Sequence, residues 1–135
     1  MATYVADAVA MNRRLIGAEP ARVAGVFDRA RRGLDSLLAT PVQLAEVADT
    51  FTRRDEIAGT TPSLTGREAV RTLLDGPVDS TPVDRAVLLR LDRLFDYYSI
   101  HDAVLVAAHE TLDADGIVTN DREIETFDGD AAVWS

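Results

Sequence analysis

TYVADAVAM, residues 3–11, decides how this chain is to be folded. Thr3, Tyr4 and Val5 favour a strand, Asp7 interrupts them, and a helix-like run follows at once. An ionised aspartate is a poor strand residue and must be hydrated, paired or bound to something. Asp7 therefore marks a strand-to-helix seam that carries a charge. The arrangement recurs near the other end in GIVTND, residues 116–121, where Asp121 lies two residues past a short apolar strand.

Between these seams, short β-like runs alternate with helical stretches. Residues 2–7 read as a strand and 8–17 as a helix ending near Gly17. Pro20 suits the first turn of a second helix that reaches Arg32, with Gly33 beyond it. Residues 36–40 form a short strand. Pro41 then opens a helix to Ile57, in which Leu44, Val47, Ala48 and Phe51 make one apolar face. GTTPSLTG, residues 59–66, is a loop; Thr65 and Glu68 form a capping box for a helix over 66–75, which stops at Gly76 and Pro77. A weak strand at 78–80 precedes a helix from Pro82 through Tyr98. Ser99 and Asp102 form a second capping box, opening an apolar helix over 101–112. Residues 116–119 are a strand, 121–126 a short helix and 131–134 a final strand. Strands separated by helices pair in parallel through crossovers, so the pattern predicts a three-layer α/β/α sandwich with a central, mostly parallel sheet. No repeat, linker or low-complexity tract divides residues 1–135, which read as one domain.

Composition narrows the function classes. The chain has 135 residues, 47% of them hydrophobic, enough for a core of its own. Its longest apolar run, Ala103 to Ala108, is far too short to cross a membrane. The amino terminus shows no secretory pattern, so the expected location is the cytoplasm. Without cysteine there is no disulfide framework or thiolate zinc site, and two histidines do not make a His-rich metal site. The 23 acids outweigh 14 bases to give a net charge of −9, and every base is arginine. This balance argues against general affinity for DNA, which needs a basic patch. Lysine-free acidity also resembles the proteins of salt-accumulating, halophilic organisms; in molar salt the Debye length is about 3 Å and the global charge hardly matters.

In an open parallel sheet, ligands collect outside the carboxyl ends of the strands. Asp7 and Asp121 both fall on that edge, and Asp102 lies in the first turn of a helix, where the macrodipole favours negative charge. Acids converging there would repel one another unless a cation joined them, and an oxygen-only donor set suits Mg²⁺ or Mn²⁺. Each acid also has a purely structural alternative. Asp7 and Asp121 can serve as helix N-caps, and Asp102 can complete the capping box with Ser99. Glu46 lies opposite the Leu44–Val47–Phe51 stripe, a position that periodicity assigns to solvated surface.

Four segments taken together, YVADAVAM (4–11), PVQLAEVADTF (41–51), SIHDAVLVAAH (99–109) and GIVTNDREIE (116–125), resemble the PIN-domain ribonucleases in order and approximate spacing. Among these, the chain is most similar to the toxins of VapBC toxin–antitoxin pairs, over essentially its whole length. The resemblance implies an active site of Asp7, Glu46, Asp102 and Asp121, with Thr119 as a supporting hydroxyl. It further implies that Asp7, Asp102 and Asp121 hold Mg²⁺ or Mn²⁺, and that Glu46 is either a ligand or the group orienting the attacking water. The implied activity is endonucleolytic cleavage of RNA. Arg13 and Arg14 would grip the substrate, with Arg53, Arg54 and Arg122 as further candidates. A homodimer and an inhibitory antitoxin would be the protein partners, and Phe95, Tyr97 and Tyr98 could serve such a surface. The acidic total departs from the usual RNA-cutting enzyme. His101 and His109 lie outside the family pattern, and the charged segment 52–64 reads equally as a lid or a plain loop.

Other classes fit less well. A phospho-receiver domain needs a lysine, which is missing; a dehalogenase-type phosphatase needs a second aspartate at position 9, which is Val9. No glycine-rich phosphate loop is present. A PIN-like nuclease acting on DNA or in RNA processing, or a nuclease-like fold kept only for binding, are the remaining alternatives.

Overall fold

The computed structural model describes all 135 residues. In chain order the elements are β1 (Thr3–Ala6), α1 (Ala8–Ile16), α2 (Ala21–Arg31), β2 (Ser36–Ala39), α3 (Pro41–Arg53), α4 (Gly66–Leu74), β3 (Asp79–Ser80), α5 (Arg85–Leu94), α6 (Ile100–Leu112), β4 (Gly116–Val118), α7 (Arg122–Phe127) and β5 (Ala132–Val133). The five strands form one sheet in the order β3-β2-β1-β4-β5, and every pairing is parallel. The chain moves outward from β1 through β2 to β3, then returns to lay β4 on the opposite side of β1. Strand order thus reverses at β1 and β4, which opens a crevice at their carboxyl ends.

The alternation of side chains along β1 creates two cores. Ala6 faces one, with Met11, Val23, Phe27, Val47, Phe51 and Leu73 from α1 to α4; Val5 faces the other, with Leu105, Ala107, Ile117 and Ile124 from α6, β4 and α7. The six-residue run Ala103 to Ala108 is buried all round, because α6 lies between the sheet, α5 and α3. The capping box of Thr65 and Glu68 is present in both directions.

Several boundaries differ from expectation for identifiable reasons. The helix beginning at Pro41 ends at Arg53 rather than Ile57, because Arg54 adopts φ 57° and the Arg54 and Asp55 N–H groups turn back to the Phe51 and Thr50 carbonyls. The chain then makes a tight turn through Ala58 and Gly59, both at positive φ, closed by reciprocal Ile57–Thr60 backbone bonds. Segment 52–64 is thus partly helix and partly an ordered turn. The helix expected from Pro82 begins at Arg85, where Asp84 caps the Val87 N–H at 3.2 Å, and it ends at Leu94. Pro20 is the N-cap of α2 rather than a residue of its first turn.

Candidate active site

Asp7 is pinned from both sides. Its N–H donates to the Val118 carbonyl at 3.0 Å, extending the β1–β4 pairing by one residue. Its side chain caps α1, with Oδ1 accepting the Ala8 N–H at 2.7 Å, and Oδ2 accepts the Thr119 hydroxyl at 2.6 Å. Thr119 is buried, and its Oγ1 also accepts the Asp121 N–H at 3.0 Å. Asp121 in turn caps α7, with Oδ1 accepting the Glu123 N–H at 2.8 Å. One threonine hydroxyl therefore sets the spacing of two acids that lie far apart in sequence.

Asp102 arrives from the other side. Ser99 caps α6 with a long 3.5 Å bond to the Asp102 N–H, but the Asp102 carboxylate makes no return bond, so the expected capping box is only half formed. The free carboxylate points into the crevice. Carboxylate oxygens of Asp7, Asp102 and Asp121 lie within 4.8 Å of one another. Each belongs to the N-terminal end of a different helix, α1, α6 or α7, whose partial positive charge partly offsets the crowding.

Glu46 reaches the same cavity from α3. Buried Gln43, one turn earlier, donates from Nε2 to the His101 carbonyl at 3.1 Å and ties the start of α3 to the first turn of α6. Glu46 Oε1 then lies 3.6 Å from His101 Nδ1, shielded from solvent and without a hydrogen-bond partner. Glu46 is not among the three mutually close acids. The cavity measures about 510 Å³ and is lined by six carboxylates: Asp7, Glu46, Asp55, Glu56, Asp102 and Asp121. Arg13 is the only lining cation, and His101 the only lining imidazole.

The electrostatics follow from this crowding. Burial pushes Asp7 above its ordinary value, and the Asp121 charge adds to that, against the opposing bonds from Thr119 and Ala8. Burial also raises Glu46, with His101 opposing and Asp7 reinforcing. Asp102 is pushed up to about 7, first by burial, then by its contact with Asp121 and the charges of Asp121, Asp7 and Glu123. A cation fits these residues: three converging carboxylates, with the charge of Asp121 raising both Asp7 and Asp102 and oxygen donors only, suit a hard dication.

The arginines divide. Arg13 lines the cavity, and its guanidinium carbon stands 5.6 Å from the Trp134 ring centroid. Arg14, expected beside it at the substrate, is turned away. It pairs with Glu19 at 3.0 Å and Asp28 at 2.7 Å and lies over Phe27, since successive helical residues face different directions. Arg53 is paired with Asp49 and Asp55, and neither Arg54 nor Arg122 lines the cavity. His109 also lies outside it; Tyr98 is buried, whereas Phe95 and Tyr97 are exposed. Asn12 and Asn120 line the cavity without having been singled out. For Asn12 a signal existed, because it stands four residues beyond Ala8 on the same helical face.

No protein-family model matches the chain, and no curated protein matches it in sequence. Solved structures do. A chain of the VapBC2 complex from Rickettsia felis, crystallised bound to a DNA fragment from its promoter, superposes with a TM-score of 0.73 at 9% identity, covering 98% of this chain and 99% of that one. The fold is PIN-like. Mycobacterium tuberculosis VapC20, a toxin that cleaves the sarcin–ricin loop, shares it with a TM-score of 0.60 at 17% identity, over 93% of this chain and 94% of its own. In this PIN-like frame the carboxylate crevice occupies the β1–β4 switch point, and no helix is long and apolar enough to cross a membrane.

Proposed function

We propose that the chain is a divalent-cation-dependent endoribonuclease and the toxin of a type II toxin–antitoxin pair. The observation that carries this reading is the convergence of Asp7, Asp102 and Asp121 within 4.8 Å at the switch point of a PIN-like sheet. Mg²⁺ or Mn²⁺, when bound, supplies Lewis acidity toward the phosphodiester and the attacking water. Asp7, Asp121 and Asp102 would hold the cation: Asp7 through lone pairs left over from its bonds to the Ala8 N–H and the Thr119 hydroxyl, Asp121 through the oxygen not bonded to the Glu123 N–H, and Asp102 through its free carboxylate. Thr119 keeps Asp7 and Asp121 in register. Glu46, across the cavity, orients the water and receives its proton as the water attacks phosphorus. The bond to the 3′ oxygen breaks in line, and that oxygen takes a proton from solvent to leave as a hydroxyl. Arg13, the cavity's only arginine, grips the phosphate.

The similarity to VapBC2 and VapC20 supports an RNA substrate and an antitoxin partner for this chain. The exposed Leu88, Leu89, Phe95, Tyr97 and Ile100 supply apolar surface for a homodimer. The proposed setting is the cytoplasm of a halophilic cell, in keeping with a net charge of −9 carried without lysine.

The test is cleavage of a panel of structured RNAs in Mg²⁺ and in Mn²⁺, at low and high salt, with a chelator control. Asp7→Asn and Asp121→Asn should each abolish cleavage while circular dichroism shows an intact fold. Cleavage that survives in both variants would refute the reading.

A further inference from the structure

The carboxyl edge of the sheet carries a second hollow, of about 230 Å³, beside β5. Its walls include Trp134, Arg22, Asn120 and Glu125. Asn120 lines the carboxylate cavity as well, so the two hollows adjoin at the residue between Thr119 and Asp121. Trp134 follows directly on β5, where the Val133 carbonyl accepts the Thr119 N–H at 3.1 Å. The indole is thereby anchored to the backbone that carries the acids. Its ring packs against the first core while remaining partly exposed. Arg13 stands over the ring and has no carboxylate partner, its one side-chain bond being a long one to the Ala18 carbonyl. Arg22 lines the second hollow itself and donates to the Ser135 carbonyl at 3.2 Å.

An aromatic surface, two arginines and a carboxamide are the groups that single-stranded nucleic acid uses. Bases stack on aromatic rings and guanidinium planes, phosphates meet arginine, and carboxamides bond base edges. In a chain of net charge −9, a polyanion needs local cations of this kind to approach. The hollow is also smaller than the cavities of about 300–1,000 Å³ that take drug-sized ligands, which limits it to one ring system. We propose that it seats a single unpaired nucleobase of the RNA, adjoining the phosphodiester held in the carboxylate cavity. Trp134 provides the stacking surface, held by Arg13, and Asn120 bonds the base edge. The seat rests on the nuclease reading above and adds a substrate requirement to it: the nucleotide beside the cleaved bond must be unpaired.

Trp134 is the chain's only tryptophan, so its emission reports this seat alone. The probe is a single-stranded RNA decamer carrying a visible-light label, titrated into the cleavage-deficient Asp7→Asn protein in Mg²⁺. Indole emission should be quenched saturably, with the same midpoint as the anisotropy of the label, and ribose 5-phosphate should leave it unchanged. In the otherwise wild-type enzyme, Trp134→Ala should raise KM about ten- to a hundredfold with little change in kcat, and Trp134→Phe should restore most of it. If the wild type cleaves RNA while the decamer leaves indole emission unchanged, the seat is refuted and the nuclease reading stands. If the wild type cleaves no RNA with either ion, both fall.

Discussion

Replacing Asp102 by asparagine should make the cation-free protein more stable. Asp102 titrates at about 7 in the folded chain, against an ordinary value of 3.8. A group whose folded pKa is raised holds its full stability below the unfolded pKa and loses it as pH rises through the folded one. The wild type therefore forfeits stability between about pH 4 and pH 7 and recovers none of it above that window. The difference between the two pKa values amounts to about 4 kcal/mol as a ceiling. Asp102 is partly exposed, and solvent screening brings that to about 2 kcal/mol. Losing a charge from the first turn of α6 takes back about 0.5 kcal/mol. The net gain at pH 8 is then about 1–2 kcal/mol, a rise in Tm of about 3–8 °C for a chain of this size.

The assay is thermal unfolding of wild type and Asp102→Asn in a chelator, at pH 8, 6 and 4. The gain should be complete at pH 8, smaller at pH 6 and absent at pH 4. Excess Mg²⁺ should reverse the order, because the ion stabilises whichever protein binds it more tightly and the wild type keeps all three acids. An asparagine variant less stable than wild type at pH 8, or a gain indifferent to pH, would refute the claim that the carboxylates strain one another.

Thr119→Val removes the hydroxyl shared by Asp7 and Asp121; calorimetry should show cation affinity about 10–100-fold weaker, while Thr119→Ser stays near wild type. Gly66→Ala should destabilise the fold by about 1–3 kcal/mol in urea titrations, because the new methyl would collide with the Ala48 carbonyl and the Thr52 hydroxyl where α4 crosses α3. Asp35 is held below the usual carboxylate range by the Arg29 guanidinium, helped by the Ala2 N–H, so its contribution is present above about pH 4 and lost as pH falls through the depressed value. Asp35→Asn should accordingly be less stable than wild type at pH 7, with the difference closing in more acidic buffers.

Much of this site is legible in the sequence because it hangs on local signals. Asp7 and Asp121 each end a β-forming run and begin a helix, and that pattern alone places them on one sheet edge. Asp102 is legible as a first-turn acid, but the spacing of Ser99 and Asp102 cannot say that the carboxylate leaves its box half made. Glu46 is hard to read for a different reason. A helical wheel separates apolar from polar faces, and a polar cavity reads as solvent; what brings Glu46 inward is the bond from buried Gln43 to the His101 carbonyl, a contact between residues 58 apart. Arg13 and Arg14 look equivalent in sequence, while the helix turns them apart and pairs Arg14 with Glu19 and Asp28. Pro82 and Asp84 are both good helix-starting residues in sequence, and the aspartate's side-chain bond to the Val87 N–H decides between them.

The capping and cation-holding roles of the acids are one arrangement seen at two levels. A threonine hydroxyl has a single hydrogen, and Thr119 gives it to Asp7 while its lone pair takes the Asp121 N–H. Asp7 Oδ2 must accept at that contact, and Oδ1 is already taken by the Ala8 N–H, so both of its oxygens accept bonds that oppose, without overcoming, the burial that raises its pKa. One oxygen of Asp121 accepts the Glu123 N–H. Asp102 has no such bond from backbone or hydroxyl, and it is the acid whose titration moves furthest, to about 7. The cluster is therefore graded in its bonding: two acids anchored by helix N–H groups and tied together by one hydroxyl, and a third, Asp102, left free for whatever positive charge occupies the crevice.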